Sequence, residues 1–284
     1  MSLPEPTTDR AQMSADLVEH GYCLVADALG AEQLNALSDA VDRVAREDTA
    51  AGQRFLDTNG NNQRLWQLLN RGPEFLELAE HPLALDLAGE VLGNRASFGS
   101  AADDLPQFLL SSLTGNIAGP AGHPMTLHAD QGYVHEPWPD YPLVCNGGWL
   151  IDDFTPTNGA TLVVPGSHLL NRHPDRGAER DAVPVIGPAG TLLFLDGRTW
   201  HGTGANTTDG DIRRALFSYF CQQWIRLQEN HSASLKPEVV ASMSPTLRRL
   251  CGFDMFGRSL GMIDGLPTND LAPSPTIRGY SEDG

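Results

Sequence analysis

Lysine is almost missing from this chain, where a single residue, Lys236, stands against 18 arginines. A P-loop needs a lysine behind its glycines to hold phosphate, and a Schiff-base enzyme needs a desolvated one. Lys236 lies in the polar, proline-flanked stretch SASLKPE and suits neither role. Positive charge is scarce as well, with 19 basic residues against 36 acidic and a net charge of −17. Phosphate backbones and anionic lipid repel such a surface, so the composition argues against nucleic-acid and membrane-surface partners. No run of apolar residues approaches the ~18 needed to span a bilayer. The opening MSLPEPTTDRAQMS has no apolar leader stretch, so the expected location is cytoplasmic. The four cysteines, Cys23, Cys145, Cys221 and Cys251, are far apart and form no C-x-x-C pair, which reads as buried reduced thiols and not as a disulfide framework.

What is present is a hydrophobic fraction of 40% over 284 residues, enough for a folded protein with a substantial core. The helical signals sit at the front, over about 9–95. Leu34, Leu37, Val41 and Val44 recur at spacings of three and four, which predicts an amphipathic helix over 31–47. A second helical stretch, Pro73 to Gly93, should break at Pro82, whose missing N–H cannot continue a helix. From about 97 to 225 the texture changes to short apolar runs separated by Gly, Pro, Asn and Asp: FLLSSL, MTLHADQ, LVCNGGWLID, ATLVVP, AVPVI, TLLFLDG, RTWHGTG and RRALFSYFCQQW. Many short strands between turn signals predict a β-sandwich or barrel. No repeat or linker divides the chain, so 1–284 reads as one domain: a helical part, a mainly β core, and a C-terminal extension over 226–284 whose Pro-rich end is expected to be loosely ordered.

Within LHADQGY, His128 and Asp130 are one residue apart on a predicted strand, so both side chains would leave the same face. His201, in TWHGTG, ends another predicted strand 73 residues later. Two imidazoles and a carboxylate make the facial triad of non-haem Fe(II) oxygenases, which leaves coordination positions open. The spacing alone is weak, because 9 His and 23 Asp in this length yield about 0.7 His-x-Asp matches by chance. His173-Pro174-Asp175 is one such match, and its central proline and polar surroundings argue against it. Downstream, Arg213-Arg214 open a further predicted strand, where an arginine fork could bind a carboxylate.

Together, LHADQGY, NGATLVVPGSH, GTLLFLDGRTWHGTG and IRRALFSYF resemble the phytanoyl-CoA dioxygenase family of Fe(II)/2-oxoglutarate oxygenases, with EHGYCLVADAL and QRLWQLLNRGPEF extending the likeness over most of 15–225. The resemblance implies a double-stranded β-helix, a jelly-roll or cupin-like barrel buttressed by the N-terminal helices. It implies His128, Asp130 and His201 as the iron ligands, and Arg213 as the partner of the distal carboxylate of 2-oxoglutarate. Thr161 and Gln67 resemble positions that help hold that cosubstrate, and His168, in a recurring PGSH turn, reads as structural. The implied reaction uses Fe(II), 2-oxoglutarate and O2 and releases succinate and CO2. Because Asp130 is present where halogenating relatives lack the carboxylate, hydroxylation or a related C–H oxidation is expected.

For substrate contacts the sequence offers Tyr133 and Trp138, in the aromatic, Pro-rich YVHEPWPDY directly after the ligands, and Phe256 with Phe253 and Met255 in LCGFDMFGRSLGM. These point to a small hydrophobic or aromatic-containing metabolite. The second segment reads equally as a C-terminal cap or a homodimer contact. Two rivals stay open: a cupin-like hydrolase or isomerase using the same three ligands around another metal, which needs no Arg213, and a non-catalytic ligand-binding barrel.

Overall fold

The computed structural model describes residues 2–57, 61–93, 105–256 and 260–262. At the front, α1 (Arg10–His20), β1 (Tyr22–Val25), α2 (Ala31–Ala50), β2 (Phe55–Leu56), β3 (Asn62–Leu65), α3 (Pro73–Ala79) and α4 (Pro82–Leu92) follow one another. The β-rich part holds β4 (Phe108–Ala118), β5 (Val144–Leu150), β6 (Thr161–Val163), β7 (Val183–Pro184), β8 (Leu192–Asp196), β9 (His201–Thr203) and β10 (Arg213–Gln222). Three short helices close the described chain: α5 (His231–Ser234), α6 (Pro237–Ser242) and α7 (Pro245–Leu250).

Local rules account for the helical part. The Asp9 side chain accepts from the Ala11 N–H to cap α1, and Gly21, at φ 81°, ends it by donating its N–H to the Leu17 carbonyl. The stripe expected on α2 buries Leu37, Val41 and Val44, and the helix runs on to Ala50. Pro82 separates α3 from α4, as its missing donor requires.

The strands form a seven-stranded sheet, in the order β1-β8-β5-β10-β4-β3-β2, and a three-stranded sheet, β7-β6-β9. Every strand-to-strand pairing within these two sheets is antiparallel. Two-residue alternation assigns the side chains of the large sheet to a face, except at the register shift in β4 between Leu110 and Ser112, after which the parity changes. On β8, Leu192 and Phe194 join the apolar layer beneath the helices, whereas Leu193 and Leu195 join the layer between the sheets. Cys23 and Val25 against Tyr22 and Leu24 divide β1 in the same way. The outer layer draws on α1 to α4, α7 and six strands of the large sheet, so the helices are built onto the β core by a shared apolar cluster.

The long strand β10 carries this alternation into the site. Leu216 and Phe220 face the helices, while Ala215 and Phe217 pack in the layer between the sheets. Arg213 and Tyr219 keep the parity of the inward set, and Arg214 faces out to α2. The expected mainly β architecture with N-terminal helices is present.

Candidate active site

His201 opens β9, and the chain from Gly122 to His128 runs antiparallel along the free side of that strand. His128 and His201 exchange both backbone hydrogen bonds, at 2.9 and 2.8 Å, so two residues far apart in sequence become cross-strand neighbours with rings 4.4 Å apart. Asp130 then starts a single 3-10 turn, Asp130–Tyr133. The sequence reading placed His128 and Asp130 on one strand, and this differs: the turn, and not strand alternation, swings the carboxylate in. Its backbone is pinned because the Gln131 N–H donates to Gly197 O at 2.8 Å, and the buried Gln131 side chain accepts from the Leu143 N–H at 2.8 Å.

One ligand atom from each of His128, Asp130 and His201 lies within 4.8 Å of the other two. Asp130 Oδ1 is 3.8 Å from His128 Nε2 and 3.8 Å from His201 Nε2. His201 Nδ1 sits 2.9 Å from the Thr199 carbonyl, and His128 Nδ1 sits 3.4 Å from that of Thr126. A carbonyl can only accept, so Nδ1 carries the proton and Nε2 keeps its lone pair toward the common point, the tautomer a metal requires. Burial, then the neighbouring His201, hold the His128 imidazole well below its ordinary pKa, in the neutral form that ligates. The donor set, its convergence and its tautomers fit a divalent iron.

These residues line a cavity of about 330 Å³. Thr161 is buried in its wall. Its apolar lining comes from Phe55, Trp66, Met125, Phe217 and Tyr219. Arg64 also lines it, and among the described residues no carboxylate lies within ion-pair distance of this guanidinium. Phe55 and Arg64 are directly opposite each other on β2 and β3, so the hairpin presents one face to the cavity.

Arg213 is fully buried outside this lining. Its Nε donates to the Gly159 carbonyl at 3.0 Å, Nη2 donates to the same oxygen, and the guanidinium lies 4.7 Å over the Phe154 ring. Nη1 has no partner. Burial first, and the charge on Arg64 second, pull its pKa down to about 9. An enclosed cation with a spare donor fits an incoming carboxylate. Arg214, in contrast, is spent on structure: it grips Asp152 at 2.9 and 2.6 Å and reaches Asp42 on α2 at 3.0 Å.

Not every residue singled out from sequence arrives at the cavity. Gln67 is exposed, in a left-handed backbone conformation, and outside the lining. Tyr133 points to solvent, 83% exposed. Trp138 is buried in a separate cluster, donating from Nε1 to Val134 O at 2.7 Å, and Phe256 is buried against β4 and β10 under Arg249. Nearness in sequence to the ligands is no guide here, because the turn after Asp130 carries Tyr133 out to solvent and Trp138 into a cluster apart from the cavity. In the rejected His173-Pro174-Asp175 pair, Asp175 is taken by Arg172, and the backbone of His173 by Glu136. His168 points its Nε2 at Val18 O, 3.2 Å away, in support of α1.

Sequence comparison decides the family. The model of the phytanoyl-CoA dioxygenase (PhyH) family matches residues 17–215. This chain belongs to the phytanoyl-CoA dioxygenase family. The dioxygenase af480 of Aspergillus fumigatus is 33% identical over 258 residues, 88% of this chain and 79% of that protein. Among solved structures, EctD from S. alaskensis with 2-oxoglutarate and 5-hydroxyectoine is 22% identical, with a TM-score of 0.60 over 79% of this chain and 81% of its own. The non-haem α-ketoglutarate-dependent carbocyclase SnoK from nogalamycin biosynthesis is 21% identical, with a TM-score of 0.60 over 82% and 94%. These structural likenesses establish the jelly-roll fold of the phytanoyl-CoA dioxygenase family for this chain. No helix among the described residues is long and apolar enough to cross a membrane.

Proposed function

We propose that this member of the family is an Fe(II)- and 2-oxoglutarate-dependent dioxygenase that oxidises, by hydroxylation, a C–H bond of a small hydrophobic or aromatic-containing metabolite. His128, Asp130 and His201 would hold the iron. Arg213 would take the distal carboxylate of 2-oxoglutarate, Thr161 would line its path, and Arg64 offers a second cation to an anionic group at the metal. When bound, iron and 2-oxoglutarate supply the oxidising chemistry, with succinate and CO2 as coproducts. The chain's own residues orient the cosubstrate, keep both imidazoles in the ligating tautomer and surround the target C–H with apolar wall. Phe55, Trp66, Met125 and Phe217 replace Tyr133, Trp138 and Phe256 as the proposed substrate contacts. The helices and the β core act as one catalytic unit, since they share a core.

The observation that carries this reading is Arg213, a guanidinium buried to 0% exposure with Nη1 unpartnered among the described residues, on the strand that also lines the metal-facing cavity. A hydrolase or isomerase with the same three ligands has no use for such a group, and a non-catalytic barrel has none for the ligands. The test is anaerobic titration of the Fe(II)-loaded protein with 2-oxoglutarate, monitored by the visible charge-transfer band of the chelate. The band should form in the wild type and vanish in Arg213→Ala. Stoichiometric iron without any band in the wild type would overturn the reading.

A further inference from the structure

We infer that Asn146 and Tyr219 form a positioning clamp that restricts Asp130 to one coordinating oxygen and so keeps a metal position free for the cosubstrate. This rests on the 2-oxoglutarate reading above. The two residues are directly opposite each other on β5 and β10, hence on one face of the large sheet. From there both reach across to the chain that follows His128. Tyr219 donates its hydroxyl to the backbone carbonyl of Asp130 at 3.0 Å, which fixes where the residue sits. Asn146 donates from Nδ2 to Asp130 Oδ2 at 3.0 Å, which fixes how the carboxylate is turned.

The amide cannot be the other way round, because its oxygen would then face a carboxylate oxygen. The two oxygens of Asp130 are thus unequal: Oδ2 is held by Asn146, and Oδ1 faces both imidazoles at 3.8 Å. A carboxylate with both oxygens free can chelate and occupy two positions. A facial triad works only if the carboxylate takes one, leaving room for a bidentate cosubstrate and oxygen. Asn146 is itself buried, and its Oδ1 has no partner among the described residues. Burying an unpaired amide oxygen is costly, so the side chain is unsuited to packing alone.

The test uses the Co(II)-loaded protein under nitrogen, with wild type, Asn146→Ala and Asn146→Ser compared. Co(II) affinity, 2-oxoglutarate affinity and the Co(II) visible spectrum are measured for each, with urea unfolding as a fold control. Asn146→Ala should bind Co(II) within about threefold of wild type while 2-oxoglutarate binds at least tenfold more weakly, within the range usual for lost outer-shell partners. Its Co(II) bands should weaken, as they do when the coordination number rises. Asn146→Ser, which keeps a donor, should recover most of the loss. Unchanged spectra and affinities in Asn146→Ala, or equal losses of Co(II) and 2-oxoglutarate, would overturn the clamp. If the wild type bound Co(II) but no 2-oxoglutarate, the proposed function would fail. The spectrum of Asn146→Ala would still judge the clamp by itself.

Discussion

Replacing Arg213 by methionine should do almost nothing to the ligand-free protein and nearly abolish cosubstrate binding. The guanidinium is completely enclosed, and burial pulls its pKa from the ordinary arginine range down to about 9. At 1.36 kcal/mol per unit, that is roughly 5 kcal/mol against holding the charge there. Against this stand a charge-assisted hydrogen bond to Gly159 O, worth about 1.5–3 kcal/mol, and the Phe154 face, worth about 2 kcal/mol when desolvated. The terms nearly cancel. Arg213→Met should therefore change the unfolding free energy of metal-free protein by about 1 kcal/mol or less. Removing one member of a satisfied buried ion pair would instead cost about 3–5 kcal/mol. Binding a carboxylate completes the pair, and truncating a buried hydrogen-bonded charge partner costs about 2–5 kcal/mol. The 2-oxoglutarate dissociation constant should then rise on the order of 30-fold to several thousand-fold. Urea denaturation gives the first quantity and anaerobic titration the second. A variant destabilised by more than about 3 kcal/mol that still binds 2-oxoglutarate normally would refute the reasoning, since Arg213 would then be structural.

Further expectations follow from single contacts. His128→Ala should lose stoichiometric iron, measured after desalting, while His173→Ala keeps it; equal iron in both would mean that the metal lies elsewhere. His231 is buried beside the Leu110 carbonyl, and burial depresses its pKa, as it does for His81 and His168. A histidine whose folded pKa lies below its unfolded value stabilises the fold above about 6.5 and loses that contribution as pH falls. The urea midpoint of metal-free protein should thus drop from pH 7 to 5.5, with a shallower slope in His231→Gln, and an identical slope would count against this assignment. In Gly197→Ala the new Cβ would sit 2.4 Å from Val144 O, in the turn whose carbonyl holds Gln131. That overpacking should cost about 1–3 kcal/mol in chemical denaturation, and a neutral result would show that the turn yields.

What could be read from the sequence, and what could not, divides by the range of the interactions involved. The two faces of β10 follow from alternation, so Arg213 and Arg214 had to point opposite ways, and the family resemblance supplied which of them faces inward. The break at Pro82 and the stripe of α2 are equally local. Apart from Thr161, the cavity wall around the ligands was not accessible. Phe55–Leu56 is only two residues long, too short for any periodicity, and it lies in a region whose helical signals dominate. Arg64 and Trp66 do stand at two-residue spacing, the one local hint that they share a face.

Asp130 shows the limit most clearly. Its position beside His128 was visible, yet the reason offered, two side chains on one strand face, was not the geometry that brings them together. The convergence depends on pairing between the Gly122–His128 stretch and β9, and on a turn held by Gly197, Gln131 and Leu143. None of these contacts has a sequence period. Asn146 lies further out of reach: its only mark is one amide among the apolar residues and glycines of VCNGGWL. Its role depends on the β5–β10 register, which sets it opposite Tyr219 and not one residue away. Shifting that pairing by a single residue would turn Asn146 to the helix side and leave Asp130 Oδ2 without its partner. The ligands can therefore be recognised as a set of residue types, whereas what keeps their geometry open for a cosubstrate is a property of strand register.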